Sequence, residues 1–470
     1  MSSKLENENV VELHSSEKNI TTKWYKDNMT VKHPDVLPPK IECERKQLGG
    51  NGAYKPNVIK FSDGELLLAN FHMHYEQQED GSVTEHIMLY RSVDNGLSWE
   101  ARHFDHLWGR EPYLNVFRDG TLLMTTHHLA EDVRNRLGRG MAVLHRSEDR
   151  GHAWKSTIID KNSIPDKGTF GPNFVSSRNI IEIEGDVLLM GICGGFGNDY
   201  VFKSFDRGKT WKPFPSVIYG YDRDKYLYSA FEEAVFWISG KNRLFMLSRC
   251  SPEFMVFTEK INGMPDFDFK SATGSDHFEV EILYESKDNG LSWYPLKALN
   301  LVCVMYPSVT ALENGRTLLT FTVREPIDGN HMGVQAIIVD EDDKGVPDFN
   351  LNSDRVIIDE KTPDYLQSGG GFGNTIRLND NKLLTVYSYY DADEDIKKEM
   401  EDGSYFADEE KFEKVRNKAA EFSIWAKGFN FNALKDKNDR LRRHCYLGCC
   451  EVLRKAFVKT EITLWQVHLL

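Results

Sequence analysis

Apolar and polar residues follow one another in a unit that recurs six times along this chain. Each copy has a short apolar segment, a turn that contains Gly or Asp-Asn, and a second segment rich in Leu. Continuous apolar runs of this length between turn residues predict strands that are buried on both faces. The copies lie about 55 to 75 residues apart, at 57–68, 114–124, 180–190, 235–246, 309–319 and 375–385.

A second pattern, Ser-x-Asp-x-Gly-x-x-Trp, occurs four times and is interleaved with the first. Its copies are Ser92–Trp99, Ser147–Trp154, Ser204–Trp211 and Ser286–Trp293. The pattern predicts a hairpin turn in which the Ser and Asp side chains bond to backbone groups, Gly takes a positive φ and Trp packs against the sheet. We therefore assign these residues to the scaffold and give them no catalytic role.

The two repeats together predict an all-β protein, a six-bladed β-propeller of four-stranded antiparallel blades. Each blade is interpreted as an inner strand, a second strand, a third strand such as His86–Ser92, and an outer strand. We predict a polar leader over 1–39, the propeller core over 40–390, a charged insertion over 391–432 with a short helical stretch near 391–421, and a tail over 433–470. Glu451–Phe457 is the candidate strand for closing the ring.

Composition and charge narrow the classes of partner. The formal net charge is -14, which repels phosphate backbones and anionic membranes, so we expect no nucleic-acid partner. No apolar run is long enough for a membrane span, and the N-terminal segment lacks the apolar core of a secretory signal. Seven scattered Cys fit a reducing compartment better than a disulfide framework. The expected location is cytoplasmic as the sequence stands, or secreted if a signal precedes it.

The ends of strands around the axis of a propeller meet at one face, where a functional site is expected. Residues just before the inner strands and just after the second strands are rich in ionisable and aromatic groups. They are Tyr54, Lys55, His72 and His74; Arg110, Glu111, His127 and His128; Asn173, Asn198 and Asp199; Glu232, Glu233 and Arg249; Tyr306, Arg324 and Glu325; and Phe372, Tyr389 and Tyr390. Paired carboxylates and arginines of this kind suit cleavage or binding of a glycan.

The four Ser-x-Asp-x-Gly-x-x-Trp boxes, also called Asp-box or BNR repeats, resemble those of the sialidase (neuraminidase) superfamily over roughly residues 50 to 390. The stretch from Glu233 to Arg249 is similar to a family segment in which a Glu opens an inner strand and an Arg ends the next. This resemblance implies that Glu233 polarises the nucleophile and that Arg249 binds the substrate carboxylate. It also implies that Asp80 lies near the position of the family's acid/base Asp.

Three positions depart from the family pattern. Lys55 stands where sialidases open the first blade with Arg, and Lys is a point charge rather than a planar fork. The third family arginine is expected near Asn330 and His331, where there is none. Phe372 occupies the expected position of the nucleophilic Tyr and has no hydroxyl.

We therefore predict a sialidase-like glycoside hydrolase (exo-α-sialidase-like) with a non-standard catalytic set, which acts on a glycan at the central propeller pocket. A sialidase-like hydrolase or lyase that acts on another acidic or neutral glycan fits these departures equally well. Its acid, base or nucleophile candidates are Glu233, Glu111 and Asp80, and its substrate-binding candidates are Arg110, Arg249, Arg324, Lys55, Tyr306 and His128. No cofactor or metal is expected, because neighbouring histidines on strands, here those at 72, 74, 127 and 128, often point to different faces. The alternative is a non-catalytic glycan- or protein-binding propeller, in which Glu233 with Arg249 and Arg110 with Glu111 are structural ion pairs and Asp80 lies in a solvated acidic loop.

Overall fold

The computed structural model describes residues 23–49, 53–72, 85–129, 132, 134–164, 170–195, 199–220, 231, 233–250, 260–266, 279–312, 316–324, 332–359, 371–379, 382–390 and 458–466. The strands are β1 Tyr25–Lys32, β2 Lys40–Leu48, β3 Ala53–Lys60, β4 Leu66–His72, β5 His86–Ser92, β6 Glu100–Trp108, β7 Arg110–Val116, β8 Leu122–His128, β9 Met141–Ser147, β10 Lys155–Ile159, β11 Phe170–Ser176, β12 Ile181–Ile183, β13 Val187–Gly195, β14 Asp199–Ser204, β15 Lys212–Ile218, β16 Val235–Ile238, β17 Leu244–Cys250, β18 Val280–Ser286, β19 Ser292–Ala298, β20 Val304–Ala311, β21 Thr317–Val323, β22 Gly333–Glu341, β23 Pro347–Asp348, β24 Arg355–Ile357, β25 Gly371–Arg377, β26 Lys382–Tyr390 and β27 Val458–Gln466. Single 3-10 turns lie at Lys161–Ser163 and Glu184–Asp186.

Antiparallel pairing sorts most of these strands into six groups of four, which we call units I to VI. Units I and II are β3-β4-β5-β6 and β7-β8-β9-β10, unit III is β11-β13-β14-β15 with β12 beside β13, and unit IV is β16-β17-β18-β19. Unit V is β20-β21-β22-β24 with β23 beside β22, and unit VI is β25-β26-β27-β2. The predicted all-β class is confirmed. The predicted third strand His86–Ser92 is β5 with the same bounds.

Burial falls from the first strand of a unit to the last, as the apolar pattern predicts. Strand β3 is buried at every position except its last, whereas the outer strand β10 is exposed at all but one. A strand buried on both faces must be apolar throughout, and an edge strand tolerates charge. Among the described residues, no helix is long and apolar enough to cross a membrane.

The last unit takes strands from both ends of the chain. β27 pairs with β26 on one side and with the N-terminal β2 on the other, over Cys43↔Trp465 to Leu48↔Thr460. Strand β1, within the predicted polar leader, pairs with β2 and also with β24 of unit V. Met29 and Val31 explain this strand, because they alternate with polar residues and are buried. The candidate closing strand Glu451–Phe457 and the charged insertion lie outside the described residues.

Asparagine side chains join the first strands of neighbouring units. Asn57 Oδ1 accepts the Leu114 N–H at 2.8 Å, and Asn115 Oδ1 accepts the Ile180 N–H at 2.9 Å. Asn179 bonds to both backbone groups of Phe236. These links connect units I to II, II to III and III to IV.

The same device joins unit VI back to unit I. Asn374 Oδ1 accepts the Val58 N–H at 2.9 Å, and its Nδ2 donates to the Val58 carbonyl at 2.8 Å. Asn374 is buried. An amide that satisfies both backbone groups of a residue in the next sheet fixes the register between the two sheets.

The four turn boxes have the geometry that their sequence predicts. In the first, the Gly96 N–H donates to Ser92 Oγ at 2.9 Å, the Ser98 N–H donates to Asp94 Oδ1 at 2.9 Å, and Trp99 Nε1 donates to the Gly96 carbonyl at 2.8 Å. The glycine at the fifth position of each box has a positive φ, between 77° and 88°. These bonds lie at the far end of the units from the candidate site and hold the third strand to the outer strand.

We expect Asn374→Ala to destabilise the protein by about 2–4 kcal/mol, because it leaves a buried N–H and a buried carbonyl without partners. Thermal unfolding of the full chain measures this as a fall of several degrees in Tm. The matched control is Asn379→Ala, an exposed position in the following turn, for which we expect less than about 0.5 kcal/mol. Equal effects of the two substitutions would contradict the closing role of Asn374.

Candidate active site

Five units begin with a non-glycine residue in the left-handed backbone region. These residues are Lys55 (φ 45°), Glu111 (φ 53°), Glu233 (φ 50°), Tyr306 (φ 55°) and Phe372 (φ 57°). In units I, II, V and VI the pairing register shifts at this point. Positive φ is costly for residues with a Cβ and is found mostly where a side chain must be held for function. The shared geometry turns five side chains from five separate units toward one place.

Arg178 forms the centre of this cluster. It lies just ahead of Ile180, and its N–H donates to the Ala234 carbonyl at 2.8 Å. Its Nη1 pairs with Glu111 and its Nη2 pairs with Glu233. One guanidinium therefore joins carboxylates from units II and IV and holds them a few ångströms apart.

The guanidinium of Arg178 also lies against an aromatic ring. Its Cζ is 3.9 Å from the centre of the Tyr306 ring, close enough for a cation–π contact. The Arg178 side chain is 5% exposed. Burial alone would lower the pKa of Arg178, but the charges of Glu233 and Glu111 raise it above its usual value. Arg178 is therefore a permanent cation.

Lys55 completes the pairing of Glu111. Its Nζ contacts the second Glu111 oxygen and lies 4.6 Å from the centre of the Phe372 ring. Burial lowers the pKa of Lys55 to about 8, against the opposing attraction of Glu111. Lys55 therefore exchanges its proton close to neutral pH, which an arginine at this position would not do.

Glu111 and Glu233 are both ionised. Burial raises the pKa of a carboxyl group, but Lys55 and Arg178 together hold the pKa of Glu111 well below its usual range. Arg178 and Arg249 likewise lower the pKa of Glu233 against its burial. Each can act as a base, a nucleophile or a stabilising charge at neutral pH, but neither holds a proton to donate.

Arg249 is surrounded by three carboxyl groups. Its Nη1 donates to Glu233 Oε2 at 3.2 Å, and its Nε forms an ion pair with Glu279. Glu281 stands opposite Arg249 in the β17–β18 register. Both Glu281 oxygens are buried and have no hydrogen-bond partner within the described part of the chain. Burial and the nearby charge of Glu233 raise the pKa of Glu281 well above its usual value, which favours the neutral form of this carboxyl group.

Most of the predicted site residues come together in this cluster. Lys55, Glu111, Glu233, Arg249 and Tyr306 are linked through Arg178. Arg324 lies beside them, buried, with its Cζ 5.6 Å from the Phe372 ring and its Nη1 3.4 Å from Met305 Sδ.

Two further predicted residues, Arg110 and His128, have partners other than the members of this cluster. Arg110 Nε forms an ion pair with Glu85 at 2.8 Å instead of pairing with Glu111. His128 stacks on Trp108, with ring centres 3.4 Å apart, and its Nε2 is 3.0 Å from the Trp108 carbonyl oxygen. Burial lowers the pKa of His128 to about 4. Asp80, together with His74, Asn198, Glu232, Glu325, Asn330 and His331, lies outside the described residues.

Sequence reasoning missed Arg178, Glu279 and Glu281. The repeat copy at 180–190 gave the signal for Arg178, because the residues just before the equivalent copies are Lys55, Glu111 and Glu233. The site residue expected from this unit was Asn173, which lies in strand β11, ahead of Arg178. Glu279 directly precedes the third strand of unit IV and Glu281 lies within it, and no site residue was sought in third strands. Within the described ranges, no three His, Cys, Asp or Glu side chains are grouped as a metal site.

No family model and no curated protein matches this sequence. Among solved structures, the chain is similar to a protein of unknown function from Dyadobacter fermentans, at 16% identity and a TM-score of 0.49, over 78% of this chain and 94% of that one. It is similar to a leech intramolecular trans-sialidase in complex with 2,7-anhydro-Neu5Ac, at 11% identity and a TM-score of 0.49, over 73% of this chain and 65% of that one. It is also similar to Trypanosoma rangeli sialidase, at 13% identity and a TM-score of 0.46, over 80% of this chain and 57% of that one. The chain thus spans less than two thirds of either sialidase, and the chemistry of the site depends on its own side chains.

We expect Arg178→Met to destabilise the protein by about 3–5 kcal/mol at neutral pH, since it leaves two buried carboxylates facing each other. Urea or thermal unfolding measures the change. The triple variant Arg178→Met, Glu111→Gln, Glu233→Gln should recover part of the loss, because its carboxylates are neutral. The control is Arg316→Met, whose partner Asp340 is 61% exposed, with an expected change below about 1 kcal/mol. If Arg178→Met lowered the stability as little as this control does, Arg178 would not be the residue that bridges Glu111 and Glu233.

The stabilising effect of the same cluster should depend on pH in a defined direction. The folded-state pKa values of Glu111 and Glu233 lie below the ordinary value of 4.5. Their contribution is therefore present above about pH 4.5 and is lost as the pH falls toward the folded-state pKa values. The Tm difference between wild type and Arg178→Met should be constant at neutral pH and should shrink in acid below that point. A difference that grows in acid would contradict the assigned charges.

Proposed function

We propose that this protein is a sialidase-like glycoside hydrolase that acts on a glycan carrying an acidic group. The observation that carries the proposal is the cluster itself: two buried carboxylates, Glu111 and Glu233, on the guanidinium of Arg178, which lies against the ring of Tyr306, with the buried carboxyl group of Glu281 nearby. Titratable groups with pKa values driven in opposite directions within one site indicate acid and base roles.

The cations supply the binding half of the reaction. Arg249 offers a planar guanidinium at the position where the sialidase resemblance implies a substrate-carboxylate partner, and Lys55 adds a second, smaller charge. Arg178 is saturated by Glu111 and Glu233 and serves to position them. This arrangement favours a substrate with one negative group.

Tyr306 supplies the hydroxyl that Phe372 lacks. The two rings are in edge-to-face contact, with centres 5.6 Å apart. Tyr306 of unit V therefore offers a phenol beside Phe372, which occupies the position where the resemblance implies a nucleophilic Tyr. Its hydroxyl is buried and has no hydrogen-bond partner among the described residues. Burial raises the pKa of Tyr306 above its usual value, so attack requires a base to take its proton. Glu233 and Glu111 are the ionised carboxylates close enough to influence this phenol.

The reaction follows from these roles. The Tyr306 oxygen attacks the anomeric carbon while a carboxylate takes the phenol proton, the glycosidic C–O bond breaks, and the departing oxygen receives that proton from the carboxylic acid so formed. Water then attacks the anomeric carbon, the C–O bond to tyrosine breaks, and one proton of the water passes through the carboxylate to the tyrosine oxygen, which regenerates the phenol. The net change is the addition of one water across the glycosidic bond.

A second candidate function is non-catalytic glycan binding. The observation in its favour is that Glu111, Glu233 and Glu279 are each paired with a cation. A binding site needs no carboxylate with a free coordination position, whereas a hydrolase must release one during turnover.

Hydrolysis of a panel of aryl glycosides that includes a sialoside separates the two functions. We expect Glu233→Gln to lower kcat/KM by about 10²- to 10⁴-fold, as for loss of a general base, and Tyr306→Phe to lower it at least as much. The control is Glu285→Gln, which removes a carboxylate of β18 that pairs with Arg243 away from the cluster and should leave the rate unchanged. Absence of hydrolysis of every glycoside by the wild type, with retained binding of the sialoside, would favour the binding function. Full activity in Tyr306→Phe would assign attack to water.

A further inference from the structure

Glu281 is a fully buried carboxyl group in the most charged part of the protein. It is 0% exposed, and neither oxygen has a hydrogen-bond partner among the described residues. Its backbone carbonyl accepts the Leu299 N–H at 2.9 Å, which fixes the residue in the middle of unit IV. Its side chain shares the β17–β18 face with Arg249. A buried carboxylate without a donor is very costly, so this position requires the neutral form.

Ionisable groups lie on the elements around strand β18, which carries Glu281. Strand β17 provides Arg249 and Cys250, and the segment before β18 provides Glu279. The residue before β16 is Glu233, Arg178 follows β11, and Cys303 and Tyr306 lie at the start of β20. Strand β19 provides Lys297, which pairs with Asp348 at 3.0 Å. Arg249 is the cation directly opposite, and its contacts with Glu233 and Glu279 already engage it twice.

We propose that Glu281 is a charge gate for the anion site: it keeps its proton so that Arg249 retains positive potential for an acidic substrate group, and its ionisation closes the site to anions. With Glu281 neutral, Arg249 faces two carboxylates, and Lys55 and Arg178 lie nearby to offset them. With Glu281 ionised, Arg249 would face three carboxylates, and a fourth from the substrate would be repelled. Glu281 thus acts through Arg249 and is a positioning residue rather than a catalytic one.

The proposal rests on the proposed function for the nature of the ligand, but not for the state of Glu281. The first experiment therefore needs no ligand. Infrared difference spectra of wild type against Glu281→Gln at pH 7 should contain the carbonyl band of one protonated carboxylic acid. The control Glu285→Gln should leave this band in place, because Glu285 pairs with Arg243. Absence of the band from the wild type would overturn the gate and would leave the proposed hydrolase intact.

Thermal unfolding checks the same state by another route. A carboxyl group whose folded-state pKa is raised stabilises the fold fully below its unfolded-state value, here about 4.5, and this contribution is lost as the pH rises toward the folded-state pKa. The Tm of wild type relative to Glu281→Gln should therefore fall as the pH is raised above about 4.5. A flat difference across this range would contradict a buried neutral Glu281.

The second experiment measures the affinity of the protein for N-acetylneuraminic acid by titration calorimetry from pH 5 upward. The wild type should lose affinity about tenfold per pH unit once the pH exceeds the folded-state pKa of Glu281, because only the protonated form is competent. Glu281→Gln should bind without this decline, and the methyl ester of the sugar should bind both proteins independently of it. Equal pH dependence in wild type and Glu281→Gln would overturn the gate. Failure of both proteins to bind the acid at any pH, with the infrared band present, would overturn both the gate and the acidic-glycan substrate.

Discussion

Compensation of buried charge is the interaction on which the candidate site depends. Lys55, Glu111, Arg178, Glu233 and Arg249 are withdrawn from water, and each is paired with an oppositely charged neighbour. The pairs that link Lys55, Glu111, Arg178 and Glu233 run between different units. An isolated charge of this kind would lose its proton or gain one. The pairs therefore do two things at once, because they keep the groups ionised and they tie units I, II, III and IV together at one end.

Backbone strain is the second half of this arrangement. A left-handed residue at the start of five units would be selected against in an ordinary strand, since each costs of order 1 kcal/mol. In unit VI the neighbouring Gly373 is also indispensable, because a Cβ there would overlap the Val386 carbonyl oxygen. The asparagine links and the buried sheets hold these conformations in place. The stable sheets thus hold the strained residues of the candidate site in one preorganised arrangement.

Much of the fold was predictable because it repeats. Six apolar hairpins and four turn boxes have local signatures, and the strands β3, β5 and β8 follow from them directly. The ends of the first and second strands of the repeated units led to Lys55, Glu111, Glu233, Arg249 and Tyr306. Glu281 was not predictable, because its role follows from register, which places it opposite Arg249. The asparagine links were not predicted for the same reason, because the sequence shows where each Asn lies but not which backbone group of the next unit it contacts.

The pairing of β27 with both β26 and β2 also sets an order of events during synthesis. Units I to V hold most of their strands close together in sequence and can pack as the chain leaves the ribosome. Unit VI must wait, because β27 lies far beyond β26 and is the strand to which β2 attaches. Contact between Lys55 and Phe372 joins the first unit to the last, so the aromatic wall around Lys55 is completed only after strand β25, more than 300 residues further along the chain, has been made.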